Sequence, residues 1–140
     1  MIKECIMCWL LVAGASPPLQ SHEHLTLMVL QEASGEPFLG QVAVAGVAID
    51  RMKSPAWPND MPNVIYQPNQ FEAMLTLRDH SLNEIALARK AVAWAWRGLR
   101  PCGQAAYWFH NLSIKKPKTW TFAKFRCQIN NHKFYGEKHD

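Results

Sequence analysis

Glu32 is the side chain whose neighbours best suit it to acid–base chemistry in this 140-residue chain. With Leu25, Met28 and Val29 it falls at i, i+3, i+4 and i+7 of a helix predicted over residues 23–34, closing an apolar stripe. Leu27 and Leu30 are apolar too, so burial on most sides is expected. A carboxyl on such a face loses hydration, and in a last turn it meets the negative end of the helix dipole; both effects raise its pKa. A carboxylic acid that keeps its proton near neutral pH is what a general acid for glycoside cleavage requires. The competing reading is a Glu that reaches solvent or pairs with an arginine, and spacing alone leaves both open.

Glu36 stands just before Pro37 and suits the positive N-terminus of a following helix, with positioning of Glu32 or substrate contact as its functional alternatives. Asp50 and Arg51 are adjacent in that helix's last turn, where a local ion pair is the simple expectation. Trp57, Tyr66, Phe71, Tyr107, Trp108, Phe109, Trp120, Phe134 and Tyr135 fall largely outside the helical patterns, as rings that suit sugar faces or nucleobases equally. Trp94 and Trp96 lie in a helical pattern and are expected in the core. The six histidines show no metal-ligand spacing, and the chain has neither a phosphate-binding glycine loop nor a G-x-S-x-G elbow.

These groups need elements to hold them. Gly35 suits a left-handed helix end, and Pro37 opens a second helix over residues 37–52. Phe38, Val42, Ala45 and Ile49 form its core face, while Gly40, Ala43 and Gly46 invite close approach by another helix. The proline-rich stretch after Lys53 reads as an ordered loop with at most a short helix. Ser81 and Glu84 match a capping box before a helix over residues 82–97. "AAYWFHN", "TWTFAKF" and "HKFY" then read as short strands or aromatic loops. The expected class is α+β, mainly helical, with a small β element near the C-terminus.

A hydrophobic content of 49% and a charged content of 19% describe a globular domain. The net charge of +4 is unevenly spread: from Ala86 onward eleven Lys and Arg face two acids, whereas before it four face nine. A basic C-terminal half favours a polyanionic partner such as nucleic acid, anionic lipid or bacterial wall, or else merely keeps the protein soluble. The first 21 residues read either as an export signal, with Ala13-Gly14-Ala15 as its cleavage pattern, or as an N-terminal helix. Residues 22–140 form the main domain. Cys5 and Cys8 are a lone C-x-x-C; Cys102 and Cys127 can join as a disulfide in an oxidising compartment, or stay as core thiols in a reducing one.

"EASGEPFLGQVAVAGVAIDRMKSPAWP" resembles the hallmark block of the SleB-like cell wall hydrolases, the family of spore-cortex-lytic enzymes. "VIYQPNQF", "GQAAYWFHN", Trp120 and "NHKFYG" resemble its later motifs, in the right order. The resemblance implies a compact lysozyme-like domain that cuts peptidoglycan between N-acetylmuramic acid and N-acetylglucosamine, commonly as a lytic transglycosylase. It places the catalytic glutamate on Glu32, and implies substrate contacts at Glu36, Gln41, Gln67, Phe71, Tyr107, Trp108, Asn111, Trp120 and His132. Ser34, Asp50 and Leu30-Gln31 depart from the family pattern, which carries Arg, Asn and an aromatic there.

The expected partner is therefore the peptidoglycan glycan strand, handled by a monomer at the wall or periplasm, with no cofactor, metal, nucleic acid or membrane insertion. The size suits a phage endolysin or a small wall-remodelling enzyme. If water is the acceptor, a second carboxylate, from Glu36, Asp50 or Glu72, should face Glu32. The alternative is a non-catalytic module that binds wall or nucleic acid through Lys115, Lys116, Lys118 and Arg126.

Overall fold

The computed structural model describes residues 19–67 and 80–137. Helices α1 (Leu19–Ala33), α2 (Phe38–Lys53), α3 (Met61–Ile65) and α4 (Leu82–Trp96) precede strands β1 (Ala106–Asn111), β2 (Ala123–Ile129) and β3 (His132–Glu137). The architecture is α+β and mainly helical, as the sequence led one to expect. The N-terminal signal or helix, Cys5, Cys8, Phe71 and Glu72 lie outside the described residues.

The axis of the domain is α2. Every residue from Gly40 to Ile49 is buried, and so is Arg51. The sequence allows this because its valines and isoleucine are interleaved with Ala and Gly, leaving apolar surface in all directions. Helices α1, α3 and α4 pack on it from one set of sides and β1 from another. The close approach expected at its glycines is made by side chains, not by a helix. A Cβ on Gly46 would lie 2.9 Å from Arg100 Cδ, and one on Gly40 3.3 Å from Ile129 Cγ2.

The groove at Gly46 leads Arg100 to Asp50. Arg100 Nε donates to Asp50 Oδ2 and Nη2 to Oδ1, both at 3.0 Å, while Nη1 donates to Ala95 O at 2.6 Å. The backbone N–H of Ala105 adds a third bond to Asp50 Oδ2 at 3.1 Å. The expected Asp50–Arg51 pair does not form, because neighbours on a helix point about 100° apart. Arg51 instead donates from Nε to Tyr107 O at 2.7 Å, and its guanidinium lies 5.4 Å from the Trp57 ring. Burial pulls the Arg51 guanidinium down from its ordinary value to about 10, still far above neutral pH, so it stays charged.

Half of the capping box forms. Ser81 Oγ accepts from the Glu84 N–H at 3.1 Å, but the Glu84 carboxylate turns to His80 Nδ1 at 3.0 Å. Helix α4 ends on Gly98 at φ 102°, where Gly98 N–H reaches Ala95 O and Leu99 N–H reaches Trp94 O. Gly35 does not adopt that conformation; positive φ among the described glycines belongs to Gly98 and Gly103. Trp96 packs against the core, but Trp94 is 40% exposed with Arg97 over its ring, contrary to expectation.

The sheet is antiparallel in the order β1-β3-β2. Its hairpin turns through Asn130 and Asn131, with Asn130 at φ 48°, a conformation Asn tolerates well. Both outer strands are bulged, β1 at Tyr107 and β2 at Arg126, and both bulges adjoin Tyr135. Phe109, Phe134 and Cys127 share one rung facing the helices. Trp108, Tyr135 and Phe125 share the next, on the outer face. Cys102 and Cys127 form a disulfide across 25 residues, a closure worth about 3.5 kcal/mol in the chain-entropy account.

The Asp50–Arg100 pair is nearly dry, with side chains 11% and 6% exposed. Arg100→Leu should therefore lower stability by roughly 3–5 kcal/mol, because it strands a buried carboxylate. Urea unfolding measures this, and a loss under about 1 kcal/mol would contradict it.

Candidate active site

Glu32 lies in the last turn of α1 and is half-buried, below the fully buried Leu25, Met28 and Val29 of its stripe. The turn that follows is closed by the Glu36 N–H donating to Ala33 O at 3.0 Å. Glu36 is buried, and both its oxygens are committed. Asn130 Nδ2 donates to Oε2 at 2.5 Å, and His132 Nδ1 lies 3.0 Å from Oε1. The latter contact is close but not aligned as a hydrogen bond. Gln41, one turn into α2, donates from Nε2 to Glu36 O at 3.0 Å. One buried carboxylate thus ties the α1–α2 turn, which carries Glu32, to the tip of the β2–β3 hairpin.

His132 is 2% exposed. Burial pushes its pKa down from 6.5, against the pull of the Glu36 carboxylate, which favours the charged form; His110 adds a smaller downward push. Phe109 and Phe134 meet its ring at 5.4 and 6.2 Å.

The described side chains expected to contact substrate fall into four places. Glu36, Gln41 and His132 are buried beside the α1–α2 turn. Asn111 pairs with His132 across the sheet, at the same end, and accepts the Ser113 N–H at 2.9 Å. Tyr107 and Trp108 lie near the other end of α2, where Trp57 packs on them at 4.9 and 5.8 Å. Thirteen residues of helical rise, about 20 Å, separate Phe38, two residues after Glu36, from Arg51 and so set the spacing of the two groups. Trp120 belongs to the sheet's outer face, edge-on to Tyr135 at 5.8 Å. Gln67 is half-buried after α3, next to Tyr66, whose hydroxyl bonds His24 of α1 at 2.9 Å. Among the described residues no three His, Cys, Asp or Glu side chains converge as metal ligands would.

Residues 35–135 match the family model described as Cell Wall Hydrolase. The chain belongs to the cell wall hydrolase family. Among curated relatives, the spore cortex-lytic enzyme of Bacillus cereus is 37% identical over 106 residues, covering 76% of this chain and 40% of that protein. The spore cortex-lytic enzyme of Bacillus subtilis strain 168 is 34% identical over 126 residues, covering 88% of this chain and 41% of that protein. A span that long has to include Glu32. The chain thus spans about two fifths of the length of these cell wall hydrolases. The catalytic domain of the germination-specific lytic transglycosylase SleB from Bacillus anthracis superimposes with a TM-score of 0.71 at 30% identity, covering 86% of this chain and 97% of that one. The catalytic domain of the Bacillus cereus SleB protein gives 0.68 at 33% identity, covering 86% and 93%.

The sequence named Glu36 and Asp50 but not the residues that hold them, Asn130 and Arg100. Asn130 reaches Glu36 from 94 positions away, and Asp50 is a scaffold for Arg100. The Asn-Asn pair between two strand patterns was the one available signal for the hairpin tip.

His132 gives a pH test. Its folded pKa lies below the unfolded 6.5, so between those values the unfolded chain binds more protons and stability rises with pH. Tm should climb as pH approaches about 6.5 and level above it; His132→Gln should lower Tm but flatten that climb.

Proposed function

We propose that this cell wall hydrolase cleaves peptidoglycan between N-acetylmuramic acid and N-acetylglucosamine as a lytic transglycosylase, with Glu32 as its single general acid/base. The observation that carries the reading is the fold shared with the SleB catalytic domain, at 30% identity over nearly its whole length. The position of Glu32 supports its role: it closes a buried stripe at a helix end, on a turn braced from the sheet. The Glu32 carboxyl gives its proton to the leaving glycosidic oxygen as the C–O bond breaks. Its carboxylate then takes the proton of the muramyl 6-hydroxyl, whose oxygen closes on the anomeric carbon. The products are a free 4-hydroxyl and a 1,6-anhydro end, with no water consumed and the acid restored.

Hydrolysis needs a second carboxylate to activate water or form an ester. Two of the three candidates are engaged elsewhere: Glu36 with Asn130 and His132, and Asp50 with Arg100 and Ala105. That favours the internal hydroxyl as acceptor. The working place is the wall, outside the cytoplasm, in keeping with the Cys102–Cys127 bridge. The enzyme acts there as a monomer on glycan strands.

Glu32→Gln removes the proton and nearly keeps the shape. It should cut glycan cleavage by at least about 10²–10⁴-fold. Mass spectrometry of soluble products from purified peptidoglycan reads this out. Anhydro-muropeptides from the wild type alone are expected; reducing ends would mean hydrolysis, and equal activity of both proteins would remove Glu32 from the chemistry.

A further inference from the structure

The outer face of the sheet is not accounted for by acid–base chemistry. Trp108, Tyr135 and Phe125 form one aromatic rung across its three strands. Around it, the Tyr135 ring stacks on His110 at 5.5 Å and 20°, and Phe122 meets Trp108 at 5.0 Å. Phe122 and Phe125 are 49% and 52% exposed, and Leu112 and Ile114 in the β1–β2 connection are exposed too. A run of exposed large apolar side chains on a small domain marks a contact surface more often than chance scatter does.

Positive charge predominates here, with the exposed Glu137 at the end of β3 as the nearby acid. From Leu112 to Gly136 there are six Lys and Arg and no Asp or Glu. Lys115, Lys116 and Lys118 are exposed in the β1–β2 connection, and Lys116 Nζ stands 5.6 Å from the centre of the Tyr135 ring. Arg126, by contrast, is bent inward over Gly136 to donate to Gln104 O at 3.2 Å, so it braces the bulge. Three exposed lysines thus cluster in the connection, which also carries the exposed Phe122 and leads to the exposed Phe125 of β2, while the Tyr135 ring itself is buried.

We propose that this face is a wall-anchoring surface that binds the peptide-bearing glycan of peptidoglycan: the outer rings take sugar faces, and Lys115, Lys116 and Lys118 take the carboxylates of the stem peptides. The partner rests on the proposed peptidoglycan activity; the surface itself rests on its own charge and exposure. Flat rings beside cations match a polymer that alternates sugar rings with anionic peptides. Such anchoring supplies affinity on an insoluble substrate without contributing to the bond-breaking step.

Sedimentation with purified insoluble peptidoglycan tests it, carried out in the Glu32→Gln background so that the wall is not consumed. The triple variant Lys115→Gln, Lys116→Gln, Lys118→Gln should bind at least tenfold more weakly, with a shallower salt dependence. Glycan stripped of its peptides should bind the unaltered surface about as weakly as intact wall binds the triple variant. A second triple variant with Glu at the same positions should weaken binding further, and unchanged thermal unfolding of both confirms their fold. Unaltered binding by the variants overturns the proposal, as does tight binding to peptide-free glycan. Preferential capture by vesicles of anionic phospholipid overturns it in favour of a lipid-facing surface. Wild-type protein that binds wall in this pattern but releases no fragments sinks the cleavage reading and leaves the anchoring surface standing.

Discussion

A helix buried on every side must satisfy each polar group it carries, and α2 carries several at its two ends. Its middle is made of small and β-branched residues and asks for nothing. Glu36 just before it, Gln41 in its first turns, and Asp50 and Arg51 near its end are costly to leave bare at that depth. Three of them are answered by different parts of the chain: the hairpin tip for Glu36, the loop after α4 for Asp50, and the bulged start of β1 for Arg51; Gln41 donates locally to Glu36 O, and its Oε1 is buried without a hydrogen-bond partner. Satisfying these groups is what fixes the sheet against the helices.

That arrangement explains why the sheet has two unlike faces and why both outer strands are bulged. The bulge at Tyr107 breaks the ladder where Arg51 needs a carbonyl oxygen. Just beyond it, Phe109 and Phe134 return to the core while Trp108 and Tyr135 turn outward. The bulge at Arg126 makes the matching adjustment on the other edge, so the three strands stay in step around Tyr135. Extra residues at sheet edges re-aim side chains, and here they do so on both sides of one tyrosine.

Much of this was legible in the residues. Helical spacing located α1 and α2 to within a few positions, Ser81 gave the start of α4, and aromatic-rich segments gave the strands. What failed was partnership. Asp50 and Arg51 are neighbours in sequence and diverge in space, because the helix turns them apart toward partners 50 and 56 residues away. Gly46 read as a seat for a helix and proved to be a channel for one arginine. Trp94 read as core because its helix is apolar, yet it lies on the exposed side. The placement of Glu32 on a helix-ending turn was legible from local pattern, whereas the bracing of that turn by Asn130 and His132 was not. Local periodicity encodes elements; it does not encode which distant polar group completes a buried one.

The Cys102–Cys127 bridge spans the bulged edge of the sheet, and the chain it encloses holds all of β1 and the whole lysine-bearing connection. Lys115, Lys116 and Lys118 sit in an exposed stretch without regular structure, the kind of segment that proteases with a taste for basic residues cut first. A single cut there separates β1 from β2 in sequence but not in covalent terms. The nicked protein remains one molecule, with Cys127 and the rest of the sheet still bonded to the loop that carries Arg100.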